Sequence, residues 1–239
     1  MPDRDAADWE ALARSEPYFA VLTHDGSQGV SANAQATAEF FETGEDDIEA
    51  LCSAIASVLG HDLRVTSALD FGCGAGRLTL PLARLASRVV ACDIAPAMLA
   101  HARQNADRAG IHNVTFISND ELAGLTPGAF DFICSLLVFQ YIPPAAGYEF
   151  LRTMMALLAP GGIAAIQLTL RQSSSALRRL ARLMRARSRR PHRTATGGYD
   201  EHSVRRIVEA AGAHLLAQFP TQHGDATGAV MIIAKPRSA

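Results

Sequence analysis

The sequence predicts an α/β fold organised around a mostly parallel sheet. Three observations lead there: short apolar runs alternate with amphipathic helical stretches from Val65 onward, one predicted strand runs straight into a glycine-rich turn at Asp70–Arg77, and two apolar stretches close the chain across a polar loop. A length of 239 residues suits one large domain with embellishments. With 49% hydrophobic and 19% charged residues the chain is too apolar for disorder, and no apolar run is long enough to span a bilayer. The formal net charge of −2 excludes the global basic excess of a dedicated nucleic-acid binder.

Taken in order, residues 1–60 hold twelve acidic residues against Arg4 and Arg14 and read as a helical N-terminal cap segment. Thr43-Gly44-Glu45-Asp46-Asp47 supplies a cap and first-turn acids, and Ile48, Leu51, Ile55, Val58 and Leu59 then recur at helical spacing up to Gly60. Strands are expected near 65–71, 88–93, 113–117, 130–136 and 162–170, with helices near 77–87, 96–109 and 145–158. Pro81 is tolerable because it falls in the first turn of its helix, where N–H groups lack intrahelical partners. A helix over 200–211 opens at Asp200-Glu201 and ends at Gly212. His214–Phe219 and Ala229–Ala234 then pair as an antiparallel hairpin on the sheet edge. Residues 61–239 thus form the main domain, interrupted by an arginine-rich insert at 171–199. Cys52, Cys73, Cys92 and Cys134 lie far apart in apolar surroundings, with no metal-ligand spacing. Together with an acidic start that lacks a signal-peptide pattern, they point to a reducing cytoplasm and to no metal site.

The chemistry concentrates at the predicted carboxyl ends of the strands. Asp70-Phe-Gly72-Cys73-Gly74-Ala75-Gly76 places glycines where a side chain would keep a ligand off the turn. A dinucleotide fingerprint would need glycine where Arg77 stands, and Asp70 puts negative charge where a pyrophosphate would sit. The turn therefore suits a cationic ligand, such as the ammonium and sulfonium of S-adenosylmethionine (SAM). The next strand ends on Asp93, which can accept from both ribose hydroxyls or cap the following helix, with Ile94 and Met98 as apolar walls for a purine or as core. The third ends at Asp120-Glu121, where Asp120 either accepts from an adenine amino group or is a solvated loop acid.

As an ordered set, Asp70-x-Gly-x-Gly-x-Gly76, Asp93-x-x-Pro-x-Met-Leu99, Asp120, Phe130-Asp131-Phe132-Ile133 and Pro160-Gly161-Gly162 resemble the class I SAM-dependent methyltransferases. The resemblance is strong over about 64–170. It implies a Rossmann-like seven-stranded, mostly parallel sheet with an antiparallel last strand and helices on both faces, and SAM as cofactor. By the same resemblance Asp70 and Gly72–Gly76, Cys73 included, lie beside the methionine part. Asp93 holds the ribose, Ile94 and Met98 flank adenine, and Asp120 with the Glu121 backbone meets its edge. Ser135 and Leu136 face the cofactor, while Gln140 and Tyr141 point toward the acceptor. The segment after the fourth strand lacks the Asp/Asn-Pro-Pro-Tyr/Phe tetrad of adenine- and glutamine-methylating members. His24 is a further substrate-facing candidate, although it belongs to no recognisable triad and no catalytic residue is assigned.

Between 171 and 206 eleven arginines stand against Asp200 and Glu201, and 174–188 read as a basic amphipathic helix with a stripe of Leu177, Leu180, Leu183 and Met184. A solvated helix, a clamp for an anionic acceptor, membrane-surface contact and RNA contact all fit such a helix. Missing interleaved aromatics argue against single-stranded nucleic acid. The leading expectation is methyl transfer from SAM to an oxygen or nitrogen of a small molecule. RNA or protein methylation through the insert, and a SAM-binding module without turnover, are the alternatives.

Overall fold

The computed structural model describes residues 3–15, 17–18, 34–170, 198–223 and 226–237. The body of the arginine-rich insert, its proposed amphipathic helix and His24 lie outside the described residues. Seven strands form one sheet: β1 (Ser67–Phe71), β2 (Arg88–Asp93), β3 (Val114–Ser118), β4 (Phe130–Ser135), β5 (Leu158–Thr169), β6 (His214–His223) and β7 (Ala226–Ala234), in the order β3-β2-β1-β4-β5-β7-β6. β1 through β5 pair in parallel, and β7 runs antiparallel between β5 and β6. The expected sheet and its reversed last strand are both present. Strand order reverses about β1, so the connections leaving β1 and β4 run to opposite sides, and a crevice is expected above their paired carboxyl ends.

Period-two side-chain alternation sorts the core into two layers. Ala68, Phe132, Cys134, Ile163 and Ala165 pack against α2 (Ala34–Leu59) and α3 (Thr79–Leu85). Leu69, Phe71, Ile133, Ala164 and Ile166 face α5 (Pro144–Leu157) and α6 (Glu201–Ala210). α4 (Pro96–Arg108) follows β2 and carries the contact with α1 (Asp3–Ser15) through Ala13, Ala95 and Met98. Asp200 caps α6 by accepting from the Ser203 N–H at 2.8 Å, as the sequence predicts.

Three elements depart from expectation. The helix expected to begin at Thr43-Gly44 instead runs unbroken from Ala34, and Thr43 Oγ donates back to the Phe40 carbonyl at 2.8 Å. Gly44 is a packing residue: a Cβ there would lie 2.1 Å from the Arg77 carbonyl oxygen, so its absence lets α2 touch the end of the glycine turn. The hairpin is longer than predicted, because Pro220 sits within β6 opposite Ala229. An edge strand tolerates proline since its missing N–H has no ladder partner to lose. β5 begins at Leu158, with Pro160-Gly161-Gly162 bulged out between the Phe130–Leu158 and Phe132–Ile163 pairs.

Acids of α2 meet arginines of the domain body. Arg77, 2% exposed, donates to Asp47 at 2.6 Å and to the Thr43 carbonyl at 3.2 Å, and Arg84 pairs with Glu45. Among the described residues no helix is long and apolar enough to cross a membrane, and the four cysteines are free.

Candidate functional site

The glycine turn leaves β1 at the crevice. Gly72 adopts a φ of +77°, and a Cβ there would stand 2.4 Å from a Val138 methyl, so both backbone and space require glycine. Gly72 and Cys73 donate their N–H groups to the Cys92 carbonyl at 2.8 and 2.9 Å, tying the turn to β2. Asn105 of α4 fixes the far side by donating to the Ala75 carbonyl at 2.9 Å. Asn105 went unnoticed in the sequence, where a polar residue inside a helix carries no signal of a contact thirty residues away. Cys73 is buried, and burial pushes its thiol well above the usual range.

Asp70 lies beneath the turn and is 1% exposed, with Oδ2 accepting from Thr79 Oγ at 2.6 Å. Burial raises its pKa to about 6 despite Thr79 and nearby Arg77. Its charge therefore acts on the turn from inside rather than from an open surface. Asp93, at the end of β2, accepts from the Gly74 N–H and the Ala95 N–H, each at 2.9 Å, and burial raises its pKa against those two donors. The carboxylate ties the glycine turn to the start of α4. The N-cap position of α4 is Ala95, so Asp93 does not take the cap role read from the sequence and instead braces the turn before the helix.

The remaining expected residues are placed as follows. Ile94 is 37% exposed beside Asp93. Met98, expected as a purine wall, is 2% exposed and packs under α1 with Ala13 and Ala95, so its described contacts are with protein. Asp120 is exposed in a 3₁₀ turn after β3, and the Glu121 carboxylate accepts from the Ser118 N–H at 2.7 Å and its hydroxyl at 3.0 Å, which holds its pKa down. Neighbouring Asn119 has a buried Oδ1 with no hydrogen-bond partner among the described residues. Ser135 is fully buried and donates its hydroxyl to the Phe71 carbonyl at 3.0 Å, so its side chain joins β4 to β1 instead of facing a ligand. Asp131 lies at the opposite, amino-terminal edge, accepting from Thr66 and Ser67 N–H groups at 3.1 Å.

After β4 the chain turns sharply at the crevice. Leu136 is half-buried, and Leu137 has a φ of +64°, the one positive value for a non-glycine among the described residues. Its N–H donates to Gln167 Oε1 at 3.0 Å, which holds the strained turn against β5. Gln140 and Tyr141 follow in a 3₁₀ turn, both half-buried. Tyr141 meets Trp9 of α1 edge to face, with ring centroids 5.2 Å apart. The sequence reading missed α1 and this contact, although Trp9, Leu12 and Ala13 are spaced as one helical face.

Comparison with known proteins agrees with this geometry. Residues 68–162 match the family described as "Methyltransferase domain". Ubiquinone biosynthesis O-methyltransferases are similar over 95 residues: that of Methylocella silvestris is 38% identical over 40% of this chain and 36% of its own length. That of Xanthomonas euvesicatoria is 34% identical over 39% of each. The chain thus spans little more than a third of the length of these curated relatives. Among solved structures, magnesium protoporphyrin IX methyltransferase of Synechocystis, crystallised with bound S-adenosylhomocysteine (SAH), superposes with a TM-score of 0.66. It is 20% identical and covers 97% of this chain and 99% of its own. Residues 68–162 are accordingly similar to a methyltransferase domain, and the chain around them shares the fold of that solved methyltransferase.

Proposed function

We propose that the protein transfers the methyl group of SAM to an oxygen of a small-molecule acceptor. The observation that carries this reading is the meeting of Asp93, the glycine turn and the strained Leu137 turn at one carboxyl edge of a 3-2-1-4-5-7-6 sheet. The residues present fit SAM: the glycine turn runs through positive φ at Gly72, Gly74 and Gly76, which bares its backbone, and the buried carboxylates of Asp70 and Asp93 border it. Oxygen is preferred over nitrogen as acceptor because the similar curated proteins carry the name O-methyltransferase.

In this reading Asp93 and Ile94 hold the nucleoside end, backbone of Gly72–Gly76 lies along the methionine part, and the Leu137–Ile142 turn walls the acceptor. When bound, SAM supplies an electrophilic methyl group on a sulfonium. Such a displacement asks the protein for alignment and for exclusion of water, more than for a covalent partner. Leu137, fixed by Gln167, and Tyr141, backed by Trp9, provide a rigid apolar boundary for that purpose. Helices α1 and α2 serve as the N-terminal cap of the domain, and the arginines of the 171–199 sequence supply charge that matches an anionic acceptor. The free cysteines support a cytoplasmic setting.

Titration calorimetry with SAM and SAH, followed by a methyl-release assay over phenols, carboxylates and amines, tests the proposal. Binding plus turnover of an oxygen acceptor is expected. Binding without turnover of any acceptor would favour the non-catalytic module, and preference for a nicotinamide dinucleotide would overturn the reading.

The Asp70 carboxyl adds a pH signature. Raised from 3.8 to about 6, it holds a proton in the folded chain that an unfolded chain has already lost between those values. Its contribution to stability therefore falls as pH rises through that window. Affinity for cationic SAM moves the other way: we expect a gain of about fivefold from roughly pH 5 to pH 7, as the buried charge appears. In Asp70→Asn calorimetry should give a flat, weak profile; a wild-type slope in that variant would remove Asp70 from the explanation.

A further inference from the structure

α4 begins beside the nucleoside end of the candidate site yet lacks a cap of its own. Its N-cap position is Ala95, which has no side chain able to accept a hydrogen bond, and Pro96 follows. The missing acceptor comes from α1: Glu10 Oε2 accepts from the Ala97 N–H at 2.8 Å, across 87 residues of sequence. That N–H first, and the Arg14 guanidinium after it, hold the Glu10 carboxyl below its ordinary pKa. The other carboxylate oxygen takes the Arg14 guanidinium at 2.9 Å, so cap and ion pair use separate atoms. The preceding residue, Trp9, stands edge-on to Tyr141 on the acceptor side.

We propose that Glu10 is a positioning residue for the cofactor: it supplies the N-cap of α4 from α1 and, through Trp9, links the nucleoside half of the site to the acceptor wall. The inference rests on the SAM-site reading above. Asp93 binds the Ala95 N–H and Glu10 binds the Ala97 N–H, so the turn connecting β2 to α4 is clamped at two consecutive odd positions by two carboxylates. Loss of Glu10 leaves only the Asp93 clamp at the α4 entrance, and α1 loses its polar anchor. Its apolar contacts remain, with Trp9, Leu12 and Ala13 around Ala97 and Met98 and with Trp9 against Tyr141.

Trp9 is the single tryptophan of the chain, so its emission reports α1 docking without a label. The experiment compares wild type, Glu10→Ala, Glu10→Gln and Arg14→Ala by SAH calorimetry and by tryptophan fluorescence with and without SAH. Glu10→Ala is expected to weaken SAH about tenfold and to shift Trp9 emission to the red. Glu10→Gln, which keeps an acceptor for the Ala97 N–H, should recover most of both, and Arg14→Ala should match wild type. A wild type that binds SAH while Glu10→Ala equals it in affinity and emission overturns the positioning role alone. Loss in Arg14→Ala equal to that in Glu10→Ala also overturns it, because the ion pair would then be the operative contact. Absence of SAH binding by the wild type overturns the role together with the reading beneath it.

Discussion

Replacing Asp93 by alanine is expected to weaken SAH binding about a hundredfold, or ~3 kcal/mol. Two effects add. In the ligand-binding reading a buried carboxylate accepting from ribose hydroxyls makes charge-assisted hydrogen bonds of ~1.5–3 kcal/mol each. The same carboxylate now anchors the Gly74 and Ala95 N–H groups at 2.9 Å, and its removal leaves two donors at the mouth of the site without their acceptor. The turn that must lie along the ligand loosens along with the direct contact. Isothermal titration with SAH, alongside thermal melting to confirm folding, measures the loss. An affinity within threefold of wild type in a folded Asp93→Ala protein would take the residue out of the site.

Gly147→Ala should lower stability by ~1–3 kcal/mol, against the usual benefit of alanine in a helix. Alanine gains ~1 kcal/mol over glycine in a helix interior. Here the added Cβ would stand 2.0 Å from the Tyr199 hydroxyl and 2.6 Å from its ring. Tyr199 is 1% exposed and donates to the Ile142 carbonyl at 2.8 Å, so making room displaces a large buried ring and breaks a buried hydrogen bond. Overpacking costs ~1–3 kcal/mol and the lost bond ~1 kcal/mol more, which outweighs the propensity gain. For a chain of this size the midpoint should fall by about 8 °C. In a Tyr199→Leu background the same Gly147→Ala change should be neutral or mildly stabilising. An equal cost in both backgrounds would rule out the steric account.

The residues that were legible in the sequence share a property: their geometry is set within one strand-turn-helix unit. Asp70, the glycine turn and Asp93 could be placed because a strand ending on an acid and entering glycines has one local shape. The residues that were not legible act across the chain. Glu10 reaches Ala97, Asn105 reaches Ala75, and Gln167 reaches Leu137, and no periodicity marks such pairs. Gly44 was read as the start of a helix by propensity, and contact with the Arg77 backbone overrides that preference. Pro220 was read as loop, and the sheet accepts it at an edge. Met98 and Ser135 sit at the expected positions in sequence, but neighbours on α1 and β1 claim their side chains.

Tyr199 also pairs with Leu170 in a parallel bridge and gives its N–H to the Thr169 carbonyl at 2.8 Å. Leu170 and Tyr199, which flank the arginine-rich stretch in sequence, are thereby held side by side at the rim of the sheet. Between two points pinned in this way each doubling of chain length costs only about 0.6 kcal/mol in closure entropy, so length there is a cheap variable of the architecture. A protein engineer exchanging the sequence between them would cut at the same two points.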